Sequence, residues 1–291
     1  MQYLMEIGLP IAIILIMIGL GLSLAPNDFK RVFKQPKSFI LGVICQMLFL
    51  PLIAILIISL TGLTGELAIG LFILSLCPGG ATSNLFSYLA KADVGLSVSL
   101  TAVVGFITPF TIPFLTAWAI NYYGENQEAI KFPVLMTWVK LMVITVIPIL
   151  IGMFIRSKKQ SLAIKAQPFI NWFSISVLVL VIIAICSKMG SKIMEFTILA
   201  GPAVILLNIT TMIFAFYIGK VFLDNHAQSR TLTLEVGLQN GTLALLITST
   251  ILQSNTMSIP PSIYGLFMFL TAGIFSITML KKDKLIIKTK Q

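Results

Sequence analysis

Nine apolar stretches, each close to the length of a membrane-crossing helix, leave this chain almost nothing with which to build a soluble core. They cover residues 3–24, 38–60, 67–89, 94–121, 132–155, 168–188, 193–222, 231–252 and 261–280, with short polar breaks between them. A helix needs about 20 mostly apolar residues to cross the hydrocarbon. None of the stretches shows the period-two alternation of a membrane barrel strand, and helices satisfy their own backbone polar groups in lipid. The expected fold is therefore an all-α polytopic membrane protein with nine transmembrane helices. Soluble domains are excluded by 57% hydrophobic and only 10% charged residues in a chain of 291. The first stretch has no basic leader and reads as a retained helix rather than a signal peptide.

Charge is distributed by side. Breaks that share a side with the C-terminus hold Lys30, Arg31, Lys34, Lys37, Lys91, Arg156, Lys158, Lys159, Lys165, Lys220 and Arg230, and the tail 281–291 adds five lysines. The opposite side holds Lys131, Lys188 and Lys192, and Lys140 lies inside the fifth stretch. The net charge of +10 is thus a topological signal and calls for no nucleic acid. The positive-inside rule predicts an external N-terminus and a cytoplasmic C-terminus. Cys45, Cys77 and Cys186 stand singly in apolar sequence, a pattern for neither disulfides nor zinc.

Two stretches carry helix breakers near their middles. The third reads LCPGGATSN from Leu76 and the eighth EVGLQNG from Glu235. Pro78 removes a backbone donor, while Gly79, Gly80, Gly237 and Gly241 weaken helical propensity. Backbone groups freed in this way must line a protein-enclosed cavity. The two stretches lie five helices apart, an odd number, so matching them implies an inverted repeat. It pairs stretches one to four with six to nine and leaves the fifth alone. Matched interruptions of this kind point to the binding site of a secondary transporter.

Glu235 is the residue that most needs a function. A charge in the membrane core costs about 2.5 to 3.5 kcal/mol on insertion scales and faces a cavity or a partner. Two partners are open to it, a bound cation or Lys140. Near the breaks lie Thr82, Ser83 and Asn84 at the start of a new half-helix, Ser97 and Thr101 four residues apart on one helical face, and the lone amide Gln46. The half-helix start offers free N–H groups and a positive dipole end, which favour an anionic substrate. The donor set is hard oxygen with a single carboxylate, which suits sodium better than calcium or a soft metal; a proton on Glu235 is the other coupling ion to weigh. No phosphate-binding GxxxxGK[ST] or dinucleotide GxGxxG motif occurs, and the sole histidine, His226, lies in a polar connection, so no enzyme reading emerges.

GLSLAPNDFKRVFKQPK, GVICQMLFLP, CPGGATSNLFSYLAKADVGLSVSLT and TLEVGLQNGTLA, in that order and over nearly the whole chain, resemble signatures of the bile acid:sodium symporter family, especially its bacterial members. The resemblance implies a panel domain of the first, second, sixth and seventh helices (3–60 and 168–222), packed on a core domain (67–155 and 231–280) in which the interrupted helices cross. It implies nine helices, as in animal members, with this chain beginning at the second helix of ten-helix bacterial relatives. It implies two sodium ions. Ser83, Asn84, Ser97, Thr101 and Glu235 would hold one; Gln46, Gln239, Glu235 and the carbonyls of Val236 and Leu238 would hold the other. Thr82 and Asn240 would meet the substrate. The expected activity is sodium-coupled import of a small organic anion, pantoate-like, keto-acid-like or bile-acid-like, across the bacterial inner membrane. Ala81 replaces a threonine of some relatives, and YGLFMFLTAG replaces a polar Trp-His-Asn element, which leaves the substrate unassigned. An arsenite-type exporter using Cys77, and a non-transporting receptor or assembly subunit, are the alternatives. Oligomeric state is not legible.

Overall fold

The computed structural model describes residues 7–24, 35–124 and 132–288. The expected first turn of the opening helix, Lys30, Arg31, Lys34, Lys131 and residues 289–291 of the tail lie outside the described residues. What is described is helical: α1 Leu9–Ser23, α2 Pro36–Thr61, α3 Gly65–Leu76, α4 Ala81–Leu89, α5 Val94–Tyr123, α6 Val134–Lys158, α7 Gln160–Met189, α8 Lys192–Phe222, α9 His226–Gly237, α10 Gly241–Ile251 and α11 Ile259–Lys288. Six of these (α2, α5, α6, α7, α8 and α11) are long and apolar enough to cross a membrane unaided. The molecule is a multi-pass membrane protein. Among the described residues the only β-type pairing is an isolated antiparallel bridge between Gly79 and Gln239.

Both expected interruptions are real breaks. The third stretch is helical to Leu76 and again from Ala81; the eighth stops at Gly237 and restarts at Gly241. Leu238 is extended (φ −110°, ψ 95°), and the Asn240 side chain accepts from Leu243 N at 3.0 Å to cap the second half-helix. The sixth helix starts at Gln160 rather than at Pro168, so QSLAIKAQ continues a helix instead of forming a break. In that segment only Ala163 is fully buried, so one position packs while its neighbours, Leu162 and Ile164 included, stay exposed.

Two packing groups stand out among the described helices. α1 lies mainly against the second half of α6 and against α7, whereas α8 packs on α9, α11 and α2. α2 also packs on α3 and α9, and the first half of α6 packs on α5. Hydropathy could not have shown this. These helices are apolar all round, so periodicity marks no single contacting face.

The α1–α6 seam is built on glycine. A Cβ on Gly21 would lie 2.2 Å from the Ile149 carbonyl oxygen, and one on Gly152 would lie 2.1 Å from that of Ile18. The backbones touch there, and Arg156 closes the seam by donating to the Leu22 carbonyl at 2.7 Å. Close approach of this kind is how membrane helices gain contact energy without a hydrophobic drive. Gly152→Ala is expected to lower stability by about 1–3 kcal/mol, the usual cost of overpacking, read as an earlier thermal unfolding midpoint in detergent.

One end of the bundle gathers three of the basic breaks. Arg230, near the start of α9, donates to the Ala90 carbonyl beyond α4 at 3.0 Å and to both oxygens of Asp283 late in α11. Connections that the charge count assigned to a common side do share an end.

Candidate functional site

The broken helices meet at their interruptions. Beside the Gly79–Gln239 bridge, Asn240 N donates to the Pro78 carbonyl at 2.8 Å. This contact sets the last turn of α9 against the first turn of α4. Glu235, 1% exposed, points from the former toward the latter.

Three hydroxyls hold its carboxylate. Ser83 of α4 donates to Oε1 at 2.6 Å, Ser97 of α5 donates to the same oxygen, and Thr101, one turn on, donates to Oε2 at 2.8 Å. The Asn84 amide oxygen lies 2.9 Å from Ser97 Oγ. Ser97 has one hydroxyl proton for two acceptors, so this corner is richer in lone pairs than in donors. Four side chains from α4 and α5 thus bring hard oxygens around the one carboxylate of α9, a donor set that fits an alkali cation and gives a soft metal nothing to prefer. Lys140 takes no part; it is exposed on α6, and Glu235 has hydroxyl partners instead. Gly79 crowds the same carboxylate, since a Cβ there would lie 2.6 Å from Oε2.

The remaining expected residues form a second group. Gln46 lies within a π-helical turn, Cys45–Phe49, of α2; such turns recur at functional sites. Its Nε2 is 3.4 Å from Gln239 Oε1, and Gln239 Nε2 donates to the Val236 carbonyl at 2.7 Å. Leu238 is fully buried within the break. The hydrogen bonds of the Glu235 carboxylate run to Ser83, Ser97 and Thr101, and none joins it to Gln46 or Gln239. Thr82 and Asn240 line a small cavity of about 20 Å³ at the starts of the two second halves, walled by Ile16 of α1, Ser174, Ile175 and Leu178 of α7, and Met268 and Phe269 of α11.

Three residues escaped the sequence reading. Ser87 donates to Ser97 Oγ at 3.2 Å and buttresses the hydroxyl cluster from within α4. Asn208 of α8 and Tyr264 of α11, both fully buried, donate to the Gly237 carbonyl at 2.9 and 3.1 Å. That carbonyl ends a half-helix and has lost its i+4 partner, because Gly241 N turns to Gln239 O instead. Asn208 carried the same signal as Gln46, a lone amide in an apolar run. Tyr264 carried none, as a tyrosine in a membrane helix reads as an interfacial anchor. Asn208→Ala and Tyr264→Phe should each lower stability by about 1 kcal/mol, while the double variant should lose more than their sum because the carbonyl is then buried without a partner. A double-mutant cycle of unfolding midpoints checks this.

Residues 10–196 match the sequence profile described as the Sodium Bile acid symporter family. The chain belongs to this family. Over 273 residues it is 26% identical to the "Uncharacterized sodium-dependent transporter YocS" of Bacillus subtilis (strain 168), covering 93% of this chain and 82% of that protein. It is also 26% identical over 266 residues to the "Probable sodium/metabolite cotransporter BASS1, chloroplastic" of Oryza sativa subsp. japonica, covering 89% of this chain and 63% of the rice protein. The "Hepatic sodium/bile acid cotransporter" of Rattus norvegicus is 27% identical over 271 residues, 91% of this chain and 72% of its own length.

Proposed function

We propose that this chain is a symporter that uses the sodium gradient to import a small organic anion across the bacterial inner membrane. The observation that carries this reading is the cluster of oxygens from Ser83, Asn84, Ser97, Thr101 and Glu235 at the crossing of two broken helices. In this reading one sodium ion sits among those groups. A second uses Gln46, Gln239 and the carbonyls of Val236 and Leu238, and Glu235 serves both. The broken pairs α3–α4 and α9–α10 each make one crossing, and α1 makes another. With the six long helices that gives nine crossings, an external N-terminus and a cytoplasmic C-terminus.

The anion docks at Thr82 and Asn240, where the second half-helices begin and their positive dipole ends favour negative charge. In this reading α1, α6 and α7 form the panel against which the core moves, a grouping supported by the packing of α1 on the second half of α6 and on α7. Sodium orders the crossing, and the loaded form shifts toward the inward-facing state.

Proteoliposome uptake of labelled pantoate, pyruvate and taurocholate, driven by an inward sodium or potassium gradient, tests the proposal. Uptake of at least one anion under sodium only is the expected outcome; uptake indifferent to sodium overturns it. Two sodium ions with one monovalent anion carry net positive charge inward. A potential of 100 mV, negative inside, contributes about 2.3 kcal/mol per charge moved, so clamping it with valinomycin should accelerate uptake. The same rate at zero potential would contradict the two-ion stoichiometry. The arsenite-type alternative needs an accessible thiol, whereas Cys77 is fully buried and donates to the Ile73 carbonyl at 3.4 Å. No observation favours a receptor or assembly role.

A further inference from the structure

Away from the crossing, the end of the bundle that gathers the basic breaks contains another cavity, of about 70 Å³, between α8, α9 and α11. Lys220, His226, Arg230 and Lys282 line it together with Asp283, Ser229, Phe216 and Met279. Three permanent cations therefore face one carboxylate. Arg230, itself buried, is held by Asp283 and the Ala90 carbonyl and forms a fixed floor. Lys220 leans over the Phe216 ring at 5.0 Å, and Lys282 is exposed at the rim. An anion entering here meets cations from three separate helices.

We propose that this cavity binds the phosphate headgroup of an anionic phospholipid. Basic pockets between membrane helices are suited to such headgroups, and the wall below Lys220 fits what a lipid brings with it. Ile209, Ile213, Phe216 and Lys220 follow one another at spacings of four, three and four, which places them on one stripe of α8. Ile209 and Ile213 are 40% and 52% exposed, and Phe216 packs edge-on against Phe275 of α11 at 5.8 Å. From Lys220 to Ile209 the stripe runs about 16 Å, roughly half of a hydrocarbon core about 30 Å thick. An acyl chain lying along it would keep its phosphate at the lysines. A free phosphate would gain nothing from this stripe, which is the ground for assigning a lipid. The bound lipid would clamp α8, α9 and α11 together at the end from which Glu235 is carried, whatever the transported anion.

The test is the unfolding midpoint of the full chain purified in detergent, with added phosphatidylglycerol, phosphatidylcholine or inorganic phosphate. Phosphatidylglycerol should raise the midpoint by about 5 °C more than phosphatidylcholine does, the scale expected of a ligand well above its dissociation constant. Inorganic phosphate should fall far short. Lys220→Gln combined with Lys282→Gln should abolish the preference, and Lys140→Gln, on exposed α6, should keep it. An equal response to phosphatidylcholine, an unchanged preference in the double variant, or a full shift with inorganic phosphate each overturns the assignment. If the double variant does not purify, Lys282→Gln alone is held to the same standard and should at least halve the preference.

Discussion

Glu235→Gln is expected to abolish sodium-driven uptake, by at least about 100-fold, while leaving a folded protein in the membrane. The substitution keeps the shape of the side chain and an oxygen for Ser83 or Thr101, and it removes only the charge. A buried carboxylate is costly until a cation joins it, so the variant should unfold no earlier than the parent in choline chloride. The gap should open in sodium chloride. The parent should be stabilised by sodium in proportion to RT ln(1 + [Na]/Kd), whereas the variant should show no sodium response. Melting curves in the two salts and uptake in matched vesicles measure both halves of the prediction. If Glu235→Gln instead fails to insert or fold, the carboxylate is structural, and the oxygen cluster is not a transport site.

Gly79→Ala should produce the second large effect through geometry rather than charge. The added methyl would lie 2.6 Å from Glu235 Oε2 and 3.5 Å from Thr101 Oγ1, so one carboxylate oxygen must leave its position. The displaced atom is the end of a side chain, not backbone, and the fold can yield there. We expect modest destabilisation, within about 1–3 kcal/mol as for other overpacked sites. The sodium concentration giving half-maximal uptake should rise at least about tenfold, which corresponds to about 1.4 kcal/mol of lost ion affinity. Sodium titration of uptake separates this outcome from general damage, which would lower the maximal rate and leave the half-saturation point alone.

The parts of this architecture that depend on local chemistry were legible. Proline and glycine in mid-span mark a break wherever it occurs, and a carboxylate deep in apolar sequence must have company, so Pro78, Gly79, Gly237 and Glu235 announced the crossing. Ser97 and Thr101 were readable because four residues in a helix share a face. Features that depend on which helices touch were not. α2 and α6 have similar hydropathy, yet one packs with the broken helices and the other against α1, through Gly21 and Gly152. Sequence shows that both glycines exist; only the assembled structure brings them opposite each other. Asn208 and Tyr264 were missed for the same reason. Their role is to meet one carbonyl on a third helix, and a contact across such sequence distances leaves no periodic trace.

The Gly79–Gln239 bridge and its neighbouring bond from Asn240 to Pro78 have a consequence for how the chain can vary. Each residue added to or removed from a helix rotates everything beyond it by roughly 100°. Shortening either break by one residue would swing Ser83 or Glu235 away from the other while leaving composition and hydropathy untouched. The two breaks behave as the cut ends of a splice, joined in a single phase. Their lengths, four residues from Cys77 to Gly80 and three from Leu238 to Asn240, are therefore as constrained as their chemistry.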